Sequence, residues 1–496
     1  MNIKRAKEEI QNTIEAYLLK DEYGSYVIPA IRQRPVLLIG PPGVGKTQIM
    51  EQISRECGIG LVAYTITHHT RQSAIGLPFI EKQVYGGKEY SVTEYTMSEI
   101  VASIYDKIRA TGLKEGILFI DEINCVSETL APTMLQFLQG KSFGNHKIPE
   151  GWIIVSAGNP PEYNKSVREF DVVTLDRIKM IHVEPDFGVW KEYAVQESIH
   201  PAIISYLDVK PEHFCQIETT VDGKRFATPR GWEDLSRLIE VYEQLGKTVD
   251  RDVVYQYIQY PRIAKDFANY LELYHKYRQD YQVDEILAGW VREDLYRKLE
   301  RAPFDERLSV VSLLLAKLTG QFREALLQEE RTGFLMEQLK RYPEAEEGLS
   351  SIIQELRAEY EEKRKKELLS RLEDRLYRQV SALLEDYERI IRDEDRTDRD
   401  AVWARLKELF RAETDRYQEL ADLGGQMLEY GFDFMEAAFG GSQEMVIFIT
   451  ELNSNRFCVA FLQEYQCDRY YEYNKSLLFE DREQELRKRA AMQLNQ

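Results

Sequence analysis

The run Gly40-Pro41-Pro42-Gly43-Val44-Gly45-Lys46-Thr47, continued by Gln48, has the residue types and spacing of a phosphate cradle. Glycines let backbone N–H groups close around an anion, and a lysine at the end of the turn reaches the β- and γ-oxygens of a nucleotide. The hydroxyl after it is placed to hold Mg²⁺. A second chemical pair follows well downstream, where Ile117-Leu118-Phe119-Ile120 ends in Asp121-Glu122. Asp121 can reach the metal, directly or through water, and Glu122 can polarise a water that attacks the γ-phosphate. A third polar group, Asn159, ends the apolar run Trp152 to Gly158. It either orients that water and touches the γ-phosphate or simply starts the turn Asn159-Pro160-Pro161.

These groups meet only if particular elements hold them. Val36-Leu37-Leu38-Ile39 is too short for a helix and suits a buried strand, and Ile49, Met50 and Ile53 begin an amphipathic helix after Thr47. A strand, a glycine turn and a helix N-terminus together present N–H groups and a positive dipole end to phosphate. The runs Leu61–Ile66, Ile117–Ile120, Trp152–Gly158 and Ile178–Val183 supply further strands. In a parallel sheet their C-terminal ends lie beside the cradle. Phe79–Tyr85 and Lys88–Thr93 flank Gly86-Gly87, a hairpin signal. A helix follows with Ile100, Ile104, Tyr105 and Ile108 on one face. Thr228-Pro229-Arg230-Gly231-Trp232 has the cap and proline of a helix start.

The succession of Gly40–Thr47, Ile120-Asp121-Glu122, Ala157-Gly158-Asn159-Pro160-Pro161 and Leu175-Asp176-Arg177 resembles the MoxR family of AAA+ ATPases, in the helix-2-insert group. The resemblance covers residues 25–245, about the first half. It implies Walker A at Lys46 and Thr47, Walker B at Asp121 and Glu122, and sensor 1 at Asn159. It further implies an arginine finger at Arg177 and a sensor 2 at Arg230. Asn164-Lys165-Ser166-Val167-Arg168 offers a second candidate finger. A ring, a hexamer in this family, is implied, with ATP and Mg²⁺ as ligands and chaperone-like remodelling of a protein client as the work. Family members commonly act with von Willebrand factor A domain proteins. No D-x-S-x-S site occurs here, so such a domain would be on a separate chain. In rings of this type such hairpins face the pore and contact substrate, so the resemblance implies that role for 79–93, with an ordinary surface hairpin as the alternative. The loop 141–151 resembles the hairpin before sensor 1.

The expected fold is α/β, a P-loop AAA+ core with a five-stranded parallel sheet, then an α-helical lid and a long α-helical C-terminal region. The expected domains are 1–186 for the core, with an inserted hairpin near 77–93, then 187–330 for the lid and its extension, and 331–496 for a partly coiled-coil-like region. The net charge of −19 disfavours a nucleic-acid face. Five scattered cysteines show no metal spacing. Met1–Lys7 has no apolar signal core, and no apolar run approaches the ~20 residues of a membrane span. A cytoplasmic protein is expected, without membrane insertion.

Beyond residue 187 strand signal fades. Leu369, Leu372, Leu376, Val380, Leu383, Tyr387 and Ile390 mark an amphipathic helix, and Arg392–Asp400 a turn. Tyr465, Tyr470, Tyr471, Tyr473 and Phe479 cluster near the end, as packing residues or a ligand surface. Residues 245–496 hold no recognisable motif. Three other functions use the same core. A nucleic-acid motor conflicts with the charge, and a GTPase would need an aspartate that Asn164-Lys165-Ser166-Val167 lacks. A nucleotide-binding scaffold without hydrolysis would not need Glu122.

Overall fold

The computed structural model describes residues 1–68, 76–143, 145–163, 170, 172–220, 223–345, 348–394 and 398–477. They form two compact units. The first comprises Met1–Val189, Cys215–Gly231 and Arg357–Arg375, and the second Trp190–Phe214, Trp232–Leu356 and the chain from Leu376 on. The chain therefore returns twice to the first unit, a division that a linear reading of domains does not contain.

The first unit is built on five strands: β1 (Val36–Ile39), β2 (Gly60–Thr65), β5 (Gly116–Asp121), β8 (Trp152–Gly158) and β9 (Lys179–His182). Their spatial order is β2-β5-β8-β1-β9, and all pairs are parallel. This is the predicted five-stranded parallel sheet. Parallel strands are covered on both faces, which is why they are almost continuously apolar. Alternate residues point to opposite sides. Leu37, Leu118, Ile120 and Ile154 pack with Ile100, Val101 and Ile104 of the helix Glu99–Thr111. On the other face Leu38, Ile117, Phe119 and Val155 meet Ile49, Met50 and Ile53 of the helix Lys46–Cys57. Ala6, Ile10 and Ile14 of the helix Ile3–Leu18 join this second layer. That first helix was not anticipated, although its three- and four-residue spacing was visible.

The register sets the site. Ile39 lies opposite Gly158 on one side and His182 on the other, and Thr65 lies opposite Asp121. Ile120 lies opposite Ser156, so the C-terminal ends of β1, β8 and β5 are level to within a residue, with β8 between the other two.

Two hairpins interrupt this core. β3 (Pro78–Tyr85) and β4 (Lys88–Tyr95) pair antiparallel around Gly86 and Gly87, both at positive φ, as a two-residue hairpin turn requires. β6 (Ser142–Phe143) and β7 (His146–Lys147) form the expected short hairpin before β8. The His146 ring nitrogen lies 2.9 Å from the Tyr95 carbonyl, joining the two hairpins.

Several expectations need correction. Strand signal does not end at 187: β10 (Gln216–Thr220) and β11 (Gly223–Ala227) pair antiparallel. Their alternation is weak because most of their side chains face solvent or are half-buried. Tyr105 leaves the buried face of its helix and is 45% exposed. The helix Arg371–Asp393 exists, but its buried stripe is Tyr377, Val380, Leu384, Tyr387 and Ile391. Leu383 and Ile390 sit one position off it, and Leu372 is exposed. Leu369 precedes the helix altogether.

The second unit is helical. Its longest helices are Phe304–Leu339 and Arg399–Phe439. Phe322 stacks on Phe461, with ring centroids 4.1 Å apart. Met445, Phe448 and Ile449 are buried in the helix Gln443–Ser454. Tyr470 is buried and Tyr473 stacks on Phe432, so these two pack; Tyr471 is exposed, and Phe479 lies outside the described residues. No single helix among the described residues is long and apolar enough to cross a membrane.

Candidate functional site

The turn after β1 is built by glycines at the positions where a side chain fails. Gly43 and Gly45 have φ of +80° and +90°, which L side chains rarely adopt. A Cβ on Gly40 would come within 2.6 Å of the Val183 carbonyl oxygen on the chain leaving β9. Gly45 caps the helix Lys46–Cys57, whose first N–H groups have no intrahelical acceptor and face the turn. Val44 is buried in the apolar layer below, while Pro42 is half-buried and Gln48 is exposed at the rim.

Lys46 is only 7% exposed. Its ammonium donates to the carbonyls of Gly40 and Pro41, at 2.7 and 2.8 Å, and to Asn159 Oδ1 at 3.0 Å. Burial pushes its pKa down to about 8; Asp121 opposes the shift and the nearby Arg230 adds to it. A buried cation on three neutral oxygens is the donor set that an anionic phosphate suits.

Thr47 Oγ1 donates to Asp121 Oδ2 at 3.0 Å, so the hydroxyl and carboxylate form one oxygen pair. Asp121 Oδ1 accepts from the Glu122 N–H at 2.9 Å. Glu122 stands at φ +56° and ψ +34°, a left-handed conformation that costs a non-glycine residue about 1 kcal/mol or more. Its Oε2 accepts from Thr67 Oγ1 at 3.1 Å, just past the end of β2. Asn124 is 4% exposed and donates to the Asn159 carbonyl at 2.8 Å, fixing the loop that carries the third polar group.

The structure therefore brings together Lys46, Thr47, Asp121, Glu122 and Asn159. Arg230 joins them: its Cβ lies 3.2 Å from where a Gly43 side chain would begin. Arg177 is not among them. It is exposed and donates to Gln139 at the end of the helix Ala131–Gly140. Arg168 lies outside the described residues. Thr67 and Asn124 were missed. Asn124 carried a signal, a polar residue directly after Asp-Glu and Ile123, whereas Thr67 carried none.

A parallel sheet of this order, with a glycine cradle after β1 and a carboxylate pair after β5, is the α/β fold of a P-loop AAA+ core. Residues 36–173 match the family described as ATPase family associated with various cellular activities (AAA). The chain is also similar to an ATP-dependent zinc metalloprotease FtsH of Lancefieldella parvula, 28% identical over 171 residues, 32% of this chain and 22% of that protein. A Lon protease of Endomicrobium trichonymphae is 22% identical over 254 residues, 48% of this chain and 30% of that protein. The chain spans less than a third of the length of either relative.

Proposed function

We propose that the chain is a Mg²⁺-dependent ATP hydrolase of the MoxR AAA+ type that works as an oligomeric ring, a hexamer, and remodels or matures a protein partner. The observation that carries this reading is the convergence of Lys46, the Thr47–Asp121 pair and Glu122 at level strand ends. Lys46 and the cradle from Gly40 to Gln48 bind the phosphates. Thr47 and Asp121 would hold Mg²⁺, which when bound neutralises charge on the phosphate oxygens. Glu122 takes the water's proton, and Asn159 orients the water against the γ-phosphate. Arg230 contacts the nucleotide as sensor 2. The names of the two relatives, an ATP-dependent protease and a Lon protease, favour a protein client. A separate von Willebrand factor A domain protein is the proposed co-worker.

Arg177, exposed and bonded to Gln139 and not to its own cradle, is the proposed finger for a neighbouring copy's γ-phosphate. The test is subunit mixing. Arg177→Ala lacks the finger and Glu122→Gln lacks the base, so each alone is inactive. When mixed and allowed to exchange, roughly a quarter of head-to-tail interfaces pair an intact base with an intact finger. Phosphate release should return in the mixture. Exchange without recovered activity would remove Arg177 from this role, and the same mixing with Arg168→Ala would then decide whether the role lies there.

A further inference from the structure

In the second unit a cleft of about 420 Å³ opens beside the helix Phe304–Leu339. Its volume lies in the range of small-molecule sites. The walls are apolar, including Val195, Ile199, Ile204, Leu315 and Ile447. Most of its polar lining groups are already satisfied. Lys191 donates to Asp208 at 2.8 Å and to Glu451 at 2.7 Å. Asn455 donates to Thr319 Oγ1 at 2.9 Å, and Ser205 shares a hydrogen bond with Tyr270.

Arg323 differs. Its guanidinium donates to the neutral hydroxyl of Ser198, and among the described residues it has no carboxylate within ion-pair distance. Glu240 feels its charge from further away, but burial keeps that carboxyl's pKa raised. Ser198 is itself held at φ +59°, a conformation that costs a serine energy. Gly320, one turn before Arg323, lines the cleft inside a long helix, where glycine costs roughly 1 kcal/mol against alanine. Neither packing nor conformation requires it: a Cβ there meets nothing within 4 Å, and its φ is not positive. Its missing side chain keeps the floor of the cleft open.

We propose that this cleft binds a small carboxylic acid with an apolar tail, its carboxylate on Arg323 and Ser198 and its tail along the face opened by Gly320. A charge-assisted bond to a guanidinium supplies the anchor, and the apolar walls supply the area. The site is independent of the phosphate cradle and of the activity proposed for it.

Calorimetric titration of the full chain with octanoate tests this, with octanol as the uncharged control. One saturable site per chain is expected for octanoate, with octanol weaker by roughly 10- to 100-fold. Arg323→Met should weaken octanoate by the same factor and leave octanol unchanged. Gly320→Leu should abolish octanoate binding while its thermal midpoint holds or rises. Gly333→Leu, on the same helix, equally open and outside the cleft, should bind as the parent does. Absence of saturable octanoate binding, equal binding of octanol, or undiminished binding by Gly320→Leu would each overturn the assignment.

Discussion

Within the first unit, the phosphate cradle and the β3–β4 hairpin stand at opposite extremes of packing. In the cradle Lys46 is 7% exposed, a Cβ on Gly40 collides with Val183, and one on Gly158 would come within 2.5 Å of Asn124. Along the hairpin Ile80 is 76% exposed and Val84 69%, and Phe79, Tyr85 and Tyr90 are exposed as well. Two strands alone bury too little to be stable for their own sake. The cradle is thus fixed from inside, each group by a named neighbour. The hairpin presents apolar surface that its own unit does not cover. Substitutions should therefore act through chemistry and packing in the first region, and through partners in the second.

The largest effect belongs to Lys46. Lys46→Ala removes the buried cation aimed at the phosphates, and should abolish hydrolysis and most ATP affinity. Phosphate release together with fluorescent-nucleotide titration measures both. Next comes Glu122→Gln, which keeps the shape but loses the base and should lower turnover by roughly 10²–10⁴-fold with ATP affinity little changed. Asp121→Asn should instead be partly rescued by extra magnesium. Equal loss of ATP binding in both variants would erase the division between base and metal ligand.

How much of this was legible follows from the range of each constraint. Gly40 to Thr47 is a local device, and its turn, positive-φ glycines and following helix depend on neighbours in sequence. Strands β1, β5 and β8 were visible because burial on both faces made them uniformly apolar. Thr67 was invisible because its partner, Glu122, is reached only through the pairing of β2 with β5. In the helix Arg371–Asp393, Val380 and Tyr387 lie on the buried stripe as read, but Leu383 and Ile390 were placed one residue off it, because Leu383 and Leu384 are chemically alike and packing alone chooses between them. The return of residues 215–231 and 357–375 to the first unit depends on tertiary contacts that no local pattern records.

Two stability measurements probe the tightness of the cradle. Gly40→Ala should cost on the order of 1–3 kcal/mol, because the new methyl must displace backbone, not a side-chain tip. Denaturant midpoints report it. The second is pH dependence. Lys46 has its pKa lowered from 10.5 to about 8, so between those values the unfolded chain holds a proton that the folded chain has released. Stability from this group therefore rises with pH across that window and is lost as pH falls through about 8. Comparing pH 7.5 with pH 10, Lys46→Met should lack a gain of roughly 2 kcal/mol that the parent shows. An identical pH response in both proteins would mean that the ammonium is better solvated than its burial indicates.

The smallest effect on stability should come from the hairpin, and its smallness is the point. Ile80 and Val84 lie on one face of β3, opposite Thr93 and Glu89. Ile80→Ser and Val84→Thr remove exposed apolar atoms without opening a cavity, so stability should shift by no more than about 0.5 kcal/mol. The turn, set by Gly86 and Gly87, and the strand pairing are untouched. Basal phosphate release should also stay at the parent level, because no hairpin residue enters the cradle. Stimulation of hydrolysis by an unfolded protein such as casein is where a loss is expected. A stability loss above 2 kcal/mol would show that these side chains belong to a packed core, and the contrast between the two regions would collapse. Unchanged stability with unchanged stimulation would instead remove the hairpin from client contact while leaving the cradle's chemistry intact.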